Sequence, residues 1–247
     1  FGIMQPEYKR VALDLTKFCT YHDCYFRRED REYALADFHC AASSIVREQL
    51  ITAGIAADRI WLVSYGADHS IFHATDTPSP DHAFRIVFAG QVGLRKGLKT
   101  LLDALILSGR ADWSVHFYGM KLGESSGDLR NYHGAPKLHF HGAVSQRELA
   151  EAFRRGTVLV LPSLEEGFGL VVPQALNCGM PCIVSDRVGA KDLIGHRDNG
   201  SIVPAQDPAG LAAELEWWDA NRKRVQETFG WTEPAQRLIG QSTSALK

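Results

Sequence analysis

The sequence predicts an α/β fold in which helices cover both faces of a parallel β-sheet. From residue 84 onward, six short apolar runs alternate with longer amphipathic runs. Strands that alternate with helices at this spacing indicate a parallel sheet. The first apolar run ends at Gly90 and leads through a loop into a helix-like run. Open sheets of this kind bind their ligands at such strand-to-helix connections.

The predicted elements follow each other regularly in this part of the chain. The strands are expected at Arg85–Gly90, Ser114–Gly119, Leu138–His141, Thr157–Pro162, Pro181–Ser185 and Ser201–Val203. The helices are expected at Leu98–Ser108, Ser145–Arg155, Val172–Cys178 and Asp207–Asn221. The sequence shows no internal repeat and no low-complexity tract.

A smaller set of elements is predicted ahead of this sheet. Helical periodicity extends over about residues 8–38, and Ser43 is a suitable N-cap for a second helix that Gly54 ends. Two prolines between residues 75 and 82 mark a linker. Short strands are expected at Phe38–Ala42 and Arg59–Ser64.

Charge and composition exclude several classes of partner. The formal net charge of the 247 residues is −2, which gives no electrostatic basis for binding nucleic acid. No apolar run approaches the roughly 20 residues that a membrane-spanning helix requires, and no signal peptide is recognisable. The five cysteines are scattered and odd in number, which favours reduced thiols and a cytoplasmic location.

The run from Glu166 to Leu176 carries the strongest functional signal. A glycine-rich turn follows a predicted strand and leads into a predicted helix. Glycines let a ligand approach the backbone closely, and the first N–H groups of a helix attract phosphate. The run therefore predicts a nucleotide-sugar site that contains Glu166, Gly167, Phe168, Gly169, Leu170, Val171 and, eight positions after the acid, Gln174.

A second strand-to-helix connection contains two neighbouring cations. The first predicted strand ends at Gly90, and Lys96 stands where the next helix is expected to begin. A lysine beyond the C-terminal end of a strand can bind a diphosphate as a point charge. For Arg95, contact with phosphate and a surface salt bridge are equally open.

These two segments resemble the signatures of the retaining glycosyltransferases of GT-B fold, of the group 1 or family 4 type, in their C-terminal donor-binding half. The resemblance implies a Rossmann-like domain in which Glu166 contacts the donor sugar, Gln174 holds the ribose and Lys96 binds the diphosphate. The family has a second acid at the position of Gln174 and an arginine at that of Gln91. A glutamine can still hydrogen-bond a diol. The two exchanges remove one charge of each sign, so we expect a variant site and not an inactive one.

The resemblance also implies the partners and the course of the reaction. The loop with Gly142 and Val144 would contact the nucleobase of a nucleoside-diphosphate sugar, and no metal or other cofactor would take part. The enzyme would be of the hexosyltransferase type, would transfer the sugar with retained anomeric configuration, and would use an unknown carbohydrate or lipid-linked acceptor. The basic run at residues 222–224 leaves peripheral membrane association of the full enzyme open.

The same resemblance divides the chain into four parts. Residues 1–65 would be a remnant of the acceptor-side domain, 66–83 a hinge, 84–227 the donor-binding domain and 228–247 a helix that crosses back. Two Rossmann-like domains need well over 100 residues each. We therefore expect a fragment that binds nucleotide, does not itself transfer sugar, and associates with itself through exposed apolar surface.

Other interpretations stay open at this point. A nucleotide-binding regulatory or scaffolding module could have lost catalysis together with the charges at Gln91 and Gln174. An epimerase or phosphorylase of the same fold is a further alternative, although neither is expected to combine the two signatures. His139 and His141 share one face of a predicted strand, but the other ligands of a metal site are not evident, which favours packed or surface histidines.

Overall fold

A small N-terminal unit precedes the main sheet in the computed structural model, which describes residues 23–75, 83–123, 126–226 and 228–245. The unit consists of helix α1 (Asp23–Leu35), strand β1 (His39–Ala41), helix α2 (Ser44–Thr52) and strand β2 (Ile60–Leu62). The two strands pair in parallel. Ser43 caps α2 by accepting a hydrogen bond from the Val46 amide, as predicted. The part of the predicted first helix before residue 23 and most of the proline-containing linker lie outside the described residues.

The main sheet has six parallel strands, as the sequence predicts. They are β3 (Phe84–Ala89), β4 (Trp113–Tyr118), β5 (Lys137–Gly142), β6 (Val158–Leu161), β7 (Cys182–Ser185) and β8 (Gly200–Val203). Their order is β5-β4-β3-β6-β7-β8. The order reverses between β3 and β6, and Rossmann-like sheets bind ligands at that switch point.

Helices cover both faces of this sheet. The helices described after residue 83 are α3 (Leu98–Ser108), α4 (Ser126–Arg130), α5 (Gln146–Arg155), α6 (Val171–Asn177), α7 (Pro208–Ala220) and α8 (Thr232–Ala245). One buried apolar cluster packs α3 and α7 on one face, and a second packs α5 and α6 on the other. The sequence does not predict α4, because five residues are too few to show helical periodicity. No helix in the described part of the chain is both long and apolar enough to cross a membrane.

Burial separates the central strands from the edge of the sheet. Every residue of β6 and β7 is buried, as expected for parallel strands covered on both faces. Along most of the edge strand β5, exposed residues instead alternate with half-buried ones. Its His139 and His141 stack on His116 of β4. Within the described ranges, no group of three or more His, Cys, Asp or Glu residues is arranged to hold a metal ion. His139 and His141 thus lie on the surface of the sheet.

Gly97 determines how the chain leaves β3. Its φ of 77° lies in the left-handed region, and a Cβ at this position would overlap the carbonyl oxygen of Pro162, just after β6. The α-helix consequently begins at Leu98. Lys96 lies in a preceding 3₁₀ turn, Leu94–Lys96, and not at the start of the helix as the sequence predicts. The close approach brings the C-terminal ends of β3 and β6 together.

Replacing Gly97 with alanine should therefore destabilise the protein strongly. We expect Gly97→Ala to lower the free energy of unfolding by more than about 2 kcal/mol, because it adds a steric overlap to the cost of a positive φ. Gly109→Ala is the matched control: Gly109 also has a positive φ, 61°, but open space around its Cβ position. We expect it to cost only about 1 kcal/mol. Urea denaturation measures the free energy of unfolding of both variants. Equal losses of stability would contradict the role of the close contact between Gly97 and Pro162.

Candidate nucleotide-sugar site

A cavity of about 450 Å³ opens where β3 and β6 end. The N-terminal unit and the segment after it supply one part of its wall, and the main domain supplies the other. The lining residues are Cys40, Ala42, Val46 and Tyr65 from the first part, and Ala89, Gly90, Lys96 and Glu166 to Val171 from the second. The cavity therefore coincides with the switch point of the sheet.

Lys96 and Glu166 form an ion pair in this cavity. The Lys96 ammonium donates a hydrogen bond to Glu166 Oε2, and the two side chains are only 16% and 18% exposed. Lys96 comes from the connection after β3 and Glu166 from the loop after β6. Arg95 Nη1 lies 3.9 Å from the same carboxylate oxygen and donates to the backbone carbonyl of Glu165 at 3.0 Å. Both neighbouring cations thus face the Glu166 loop.

The partial burial of Lys96 affects its protonation. Burial, and then the nearby charge of Arg95, lower the pKa of the Lys96 ammonium to about 8. Desolvation disfavours the charged form of an amine, yet most Lys96 side chains keep their proton at pH 7. Two cations then stand beside the single carboxylate of Glu166. The charges of these three side chains therefore sum to a net positive value.

The segment after β7 holds the Glu166 loop in place. The Glu166 amide donates to the carbonyl of Arg187 at 3.1 Å, and the Gly189 amide donates to the carbonyl of Glu166 at 2.9 Å. Further along the two segments, the Ala190 amide donates to the carbonyl of Phe168 at 2.7 Å. These three hydrogen bonds anchor the backbone of the Glu166 loop to the segment after β7.

The N-terminal unit is hydrogen-bonded to the same loop. Ser43 Oγ donates to the carbonyl of Gly167 at 2.7 Å. The amide and the hydroxyl of Ser44 each donate to the Asp192 carboxylate at 2.7 Å. Gly189 lies at this junction, where a Cβ would overlap the carbonyl oxygen of Gly167 and crowd Ser43. The start of α2 is therefore attached directly to the wall that carries Glu166.

The structure brings together seven of the twelve predicted site residues. Lys96 and the six residues from Glu166 to Val171 line the cavity. Gln174 lies half-buried in α6, one turn beyond the last lining residue, and Gln91 is exposed after β3. Among the described residues, the cavity lining does not include Gln91, Arg95, Gly142, Val144 or Gln174. Their contacts with a donor stay predictions.

Six lining residues are absent from the predicted site: Ala89 and Gly90 at the end of β3, and four residues from the N-terminal part of the chain. Cys40, Ala42, Val46 and Tyr65 all come from residues before the main sheet. None belongs to either signature segment, and their side chains carry no charge. No local pattern distinguishes them, because their role depends on how the N-terminal unit packs against the Glu166 loop.

Comparison with known proteins identifies the family. The profile of the family Glycosyl transferases group 1 matches residues 83–220, which is more than half of the chain. The chain therefore belongs to this family. The predicted resemblance to group 1 glycosyltransferases and the predicted Rossmann-like fold are confirmed.

One relative and two solved structures show the extent of the similarity, and the structures share the fold. D-inositol 3-phosphate glycosyltransferase 1 of Catenulispora acidiphila is 28% identical over 89% of this chain and 60% of that protein. Sucrose-phosphate synthase of Thermosynechococcus elongatus superposes with a TM-score of 0.73 at 22% identity, over 97% of this chain and 65% of that one. Anabaena HepE in complex with UDP-glucose gives a TM-score of 0.66 at 17% identity, over 85% and 64%. The chain thus spans about 60% of the length of a relative that it matches.

The attachment of α2 to Asp192 can be tested by hydrogen exchange. We expect Asp192→Ala to speed amide exchange in residues 43–52 by about fivefold or more, because the start of the helix loses a capping acceptor worth about 1 kcal/mol. Asp198→Ala is the control, since Asp198 lies on the surface and pairs with Lys223 at 3.7 Å. Unchanged exchange in Asp192→Ala would show that this contact does not hold α2.

Proposed function

We propose that this chain is the donor-binding part of a retaining, metal-independent glycosyltransferase that uses a nucleoside-diphosphate sugar. The observation that carries the proposal is the Lys96–Glu166 pair in the cavity at the switch point of the sheet. Membership of the glycosyl transferases group 1 family supports the reaction class. The complex of the neighbouring HepE structure with UDP-glucose supports this class of donor.

Lys96 would act on the leaving group. In the proposed reaction the bond from the anomeric carbon to the diphosphate oxygen breaks, and a bond to the acceptor hydroxyl oxygen forms on the same face. The acceptor proton passes to the leaving phosphate. Lys96, assisted by Arg95, stabilises the negative charge that develops on the diphosphate, which is electrostatic stabilisation of the transition state. These two cations supply the positive charge that a metal would otherwise provide.

Glu166 would orient the transferred sugar. Its carboxylate oxygens accept hydrogen bonds, and its backbone is held by the segment after β7. A rigid acceptor in this position can fix sugar hydroxyl groups relative to the diphosphate. Gln174 would hold the ribose, and the loop with Gly142 and Val144 would contact the base. We leave the acceptor as a carbohydrate or lipid-linked molecule, and cytoplasmic location as a prediction.

The alternative is a nucleotide-binding module without catalysis. The glutamines at positions 91 and 174, where the family pattern has charges, favour it. Both proposals expect nucleotide binding, but only a transferase releases free nucleoside diphosphate from its donor when acceptor is present. A release assay with the full-length enzyme therefore separates them.

The donor-site proposal is tested by a melting-temperature screen with UDP, GDP and ADP. A ligand that binds the native state raises stability by mass action, by about 2.7 kcal/mol at a hundred times its dissociation constant. We expect one of the three nucleotides to raise the melting temperature well above the other two. No shift with any of them at millimolar concentration would contradict the proposal.

The affinity for nucleoside diphosphate should depend on the protonation of Lys96. With a pKa of about 8, Lys96 carries its proton at pH 7 and has mostly lost it at pH 9. We expect roughly tenfold weaker binding at pH 9 than at pH 7. Lys96→Ala should lose about 10- to 150-fold at pH 7, the value of a charge-assisted contact, and should show little dependence on pH.

Lys96→Arg provides the control in this titration, because a guanidinium stays charged at both pH values. Calorimetry should find that it binds equally at pH 7 and pH 9. Wild-type affinity that does not change with pH, or unchanged affinity in a folded Lys96→Ala protein, would remove Lys96 from the diphosphate site.

Glu166→Gln should separate binding of the diphosphate from binding of the sugar. Removing the carboxylate removes the group that competes with the ligand for Lys96, so UDP should bind at least as tightly as to wild type. Turnover of the complete enzyme should fall, because a hydrogen-bond acceptor for the sugar is weakened. Glu165→Gln, one residue outside the lining, is the matched control. Loss of UDP affinity in Glu166→Gln would place the acid at the diphosphate.

A further inference from the structure

Tyr65 is an aromatic side chain at the cavity that neither signature includes. It follows β2 and lines the same cavity as Lys96 and Glu166, with 43% of the residue exposed. Phe168, the other aromatic residue of the lining, is 5% exposed. Tyr65 therefore offers most of the aromatic surface that a ligand in this cavity can reach.

The Tyr65 ring is held by contacts with two other aromatic rings. It packs edge-on against Phe168, with ring centroids 5.2 Å apart, and against Trp231 at 5.7 Å. Two residues after Tyr65, the Ala67 amide donates to the carbonyl of Phe229 at 2.7 Å. Both the ring and the nearby backbone thus have partners within the protein, and such preorganisation favours binding.

The composition of the cavity indicates what the ring would contact. Lys96 and Glu166 are its charged lining residues, whereas Tyr65 comes from the same N-terminal part of the chain as the uncharged lining residues Cys40, Ala42 and Val46. A phosphate group needs a cation such as Lys96. A sugar ring presents hydroxyl groups at its rim and C–H groups on its faces, and the apolar ring of a tyrosine can pack against those C–H groups. The uncharged part of the lining, which includes Tyr65, therefore suits a sugar better than it suits a phosphate.

We propose that Tyr65 is a specificity-determining residue that packs against the transferred sugar of the donor. Phe168, which Tyr65 contacts, lies two residues from Glu166, so the ring stands beside the loop that would bind the sugar. The inference rests on the proposed function, because it requires a nucleoside-diphosphate sugar in the cavity. It adds a sugar contact from outside the donor-binding domain.

The test compares binding of a nucleotide with binding of its sugar conjugate. Calorimetry with UDP and UDP-glucose, and with GDP and GDP-mannose as a second pair, is applied to the chain and to Tyr65→Ala, Tyr65→Phe and Phe38→Ala. Phe38→Ala is a matched control: Phe38 is 39% exposed, stacks on Trp61 and lies outside the cavity lining. Each variant is checked for a wild-type unfolding transition.

We expect Tyr65→Ala to weaken binding of the preferred sugar conjugate by about three- to tenfold, the range for a well-placed aromatic contact. The matching nucleotide should bind within about twofold of wild type. Tyr65→Phe, which keeps the ring, and Phe38→Ala should retain the affinity for the conjugate.

Two results would overturn the inference while leaving the donor site intact. In the first, Tyr65→Ala weakens binding of the nucleotide and of the sugar conjugate equally. In the second, Tyr65→Ala leaves the affinity for the conjugate unchanged. A wild-type chain that binds neither pair would instead contradict the proposed function, and the inference with it.

Discussion

The contact between Lys96 and Glu166 joins the two halves of the main sheet at the point where its strand order reverses. One partner follows β3 and the other follows β6, so the pair forms only when both strand ends meet. Gly97 allows that meeting, since no side chain fits between it and Pro162. Hydrogen bonds from the segment after β7 and from Ser43 then hold the Glu166 loop on its other sides.

A pair of this kind has consequences for both stability and binding. Desolvation of two charges offsets much of their attraction, and the removal of one partner leaves the other uncompensated. Glu166 pairs with Lys96, and burial still lowers the pKa of the amine. A diphosphate would offer Lys96 a more highly charged partner and would release Glu166 toward the sugar. In the proposed donor site, a diphosphate would therefore replace Glu166 as the partner of Lys96.

The main sheet and its helices can be predicted from the sequence because each element has a local pattern. Buried runs such as residues 158–161 are continuously apolar, and helix α3 follows at the expected spacing. Lys96 and Glu166 can each be predicted as site residues because parallel strands place both connections at one edge of the sheet. The contacts of Ser43 with Gly167 and of Ser44 with Asp192 join residues 124 and 148 positions apart, so no periodicity reveals them. Tyr65 escapes prediction for the same reason, since the packing of the N-terminal unit places it at the cavity.

A crystal structure of the chain with UDP tests the central claim most directly. The account predicts that a diphosphate oxygen lies within about 3 Å of Lys96 Nζ and that the hydrogen bond from Lys96 to Glu166 is broken or shared. It also predicts that the nucleotide occupies the cavity between β3 and β6. A diphosphate bound elsewhere, or bound in the cavity without contact to Lys96, would contradict the account.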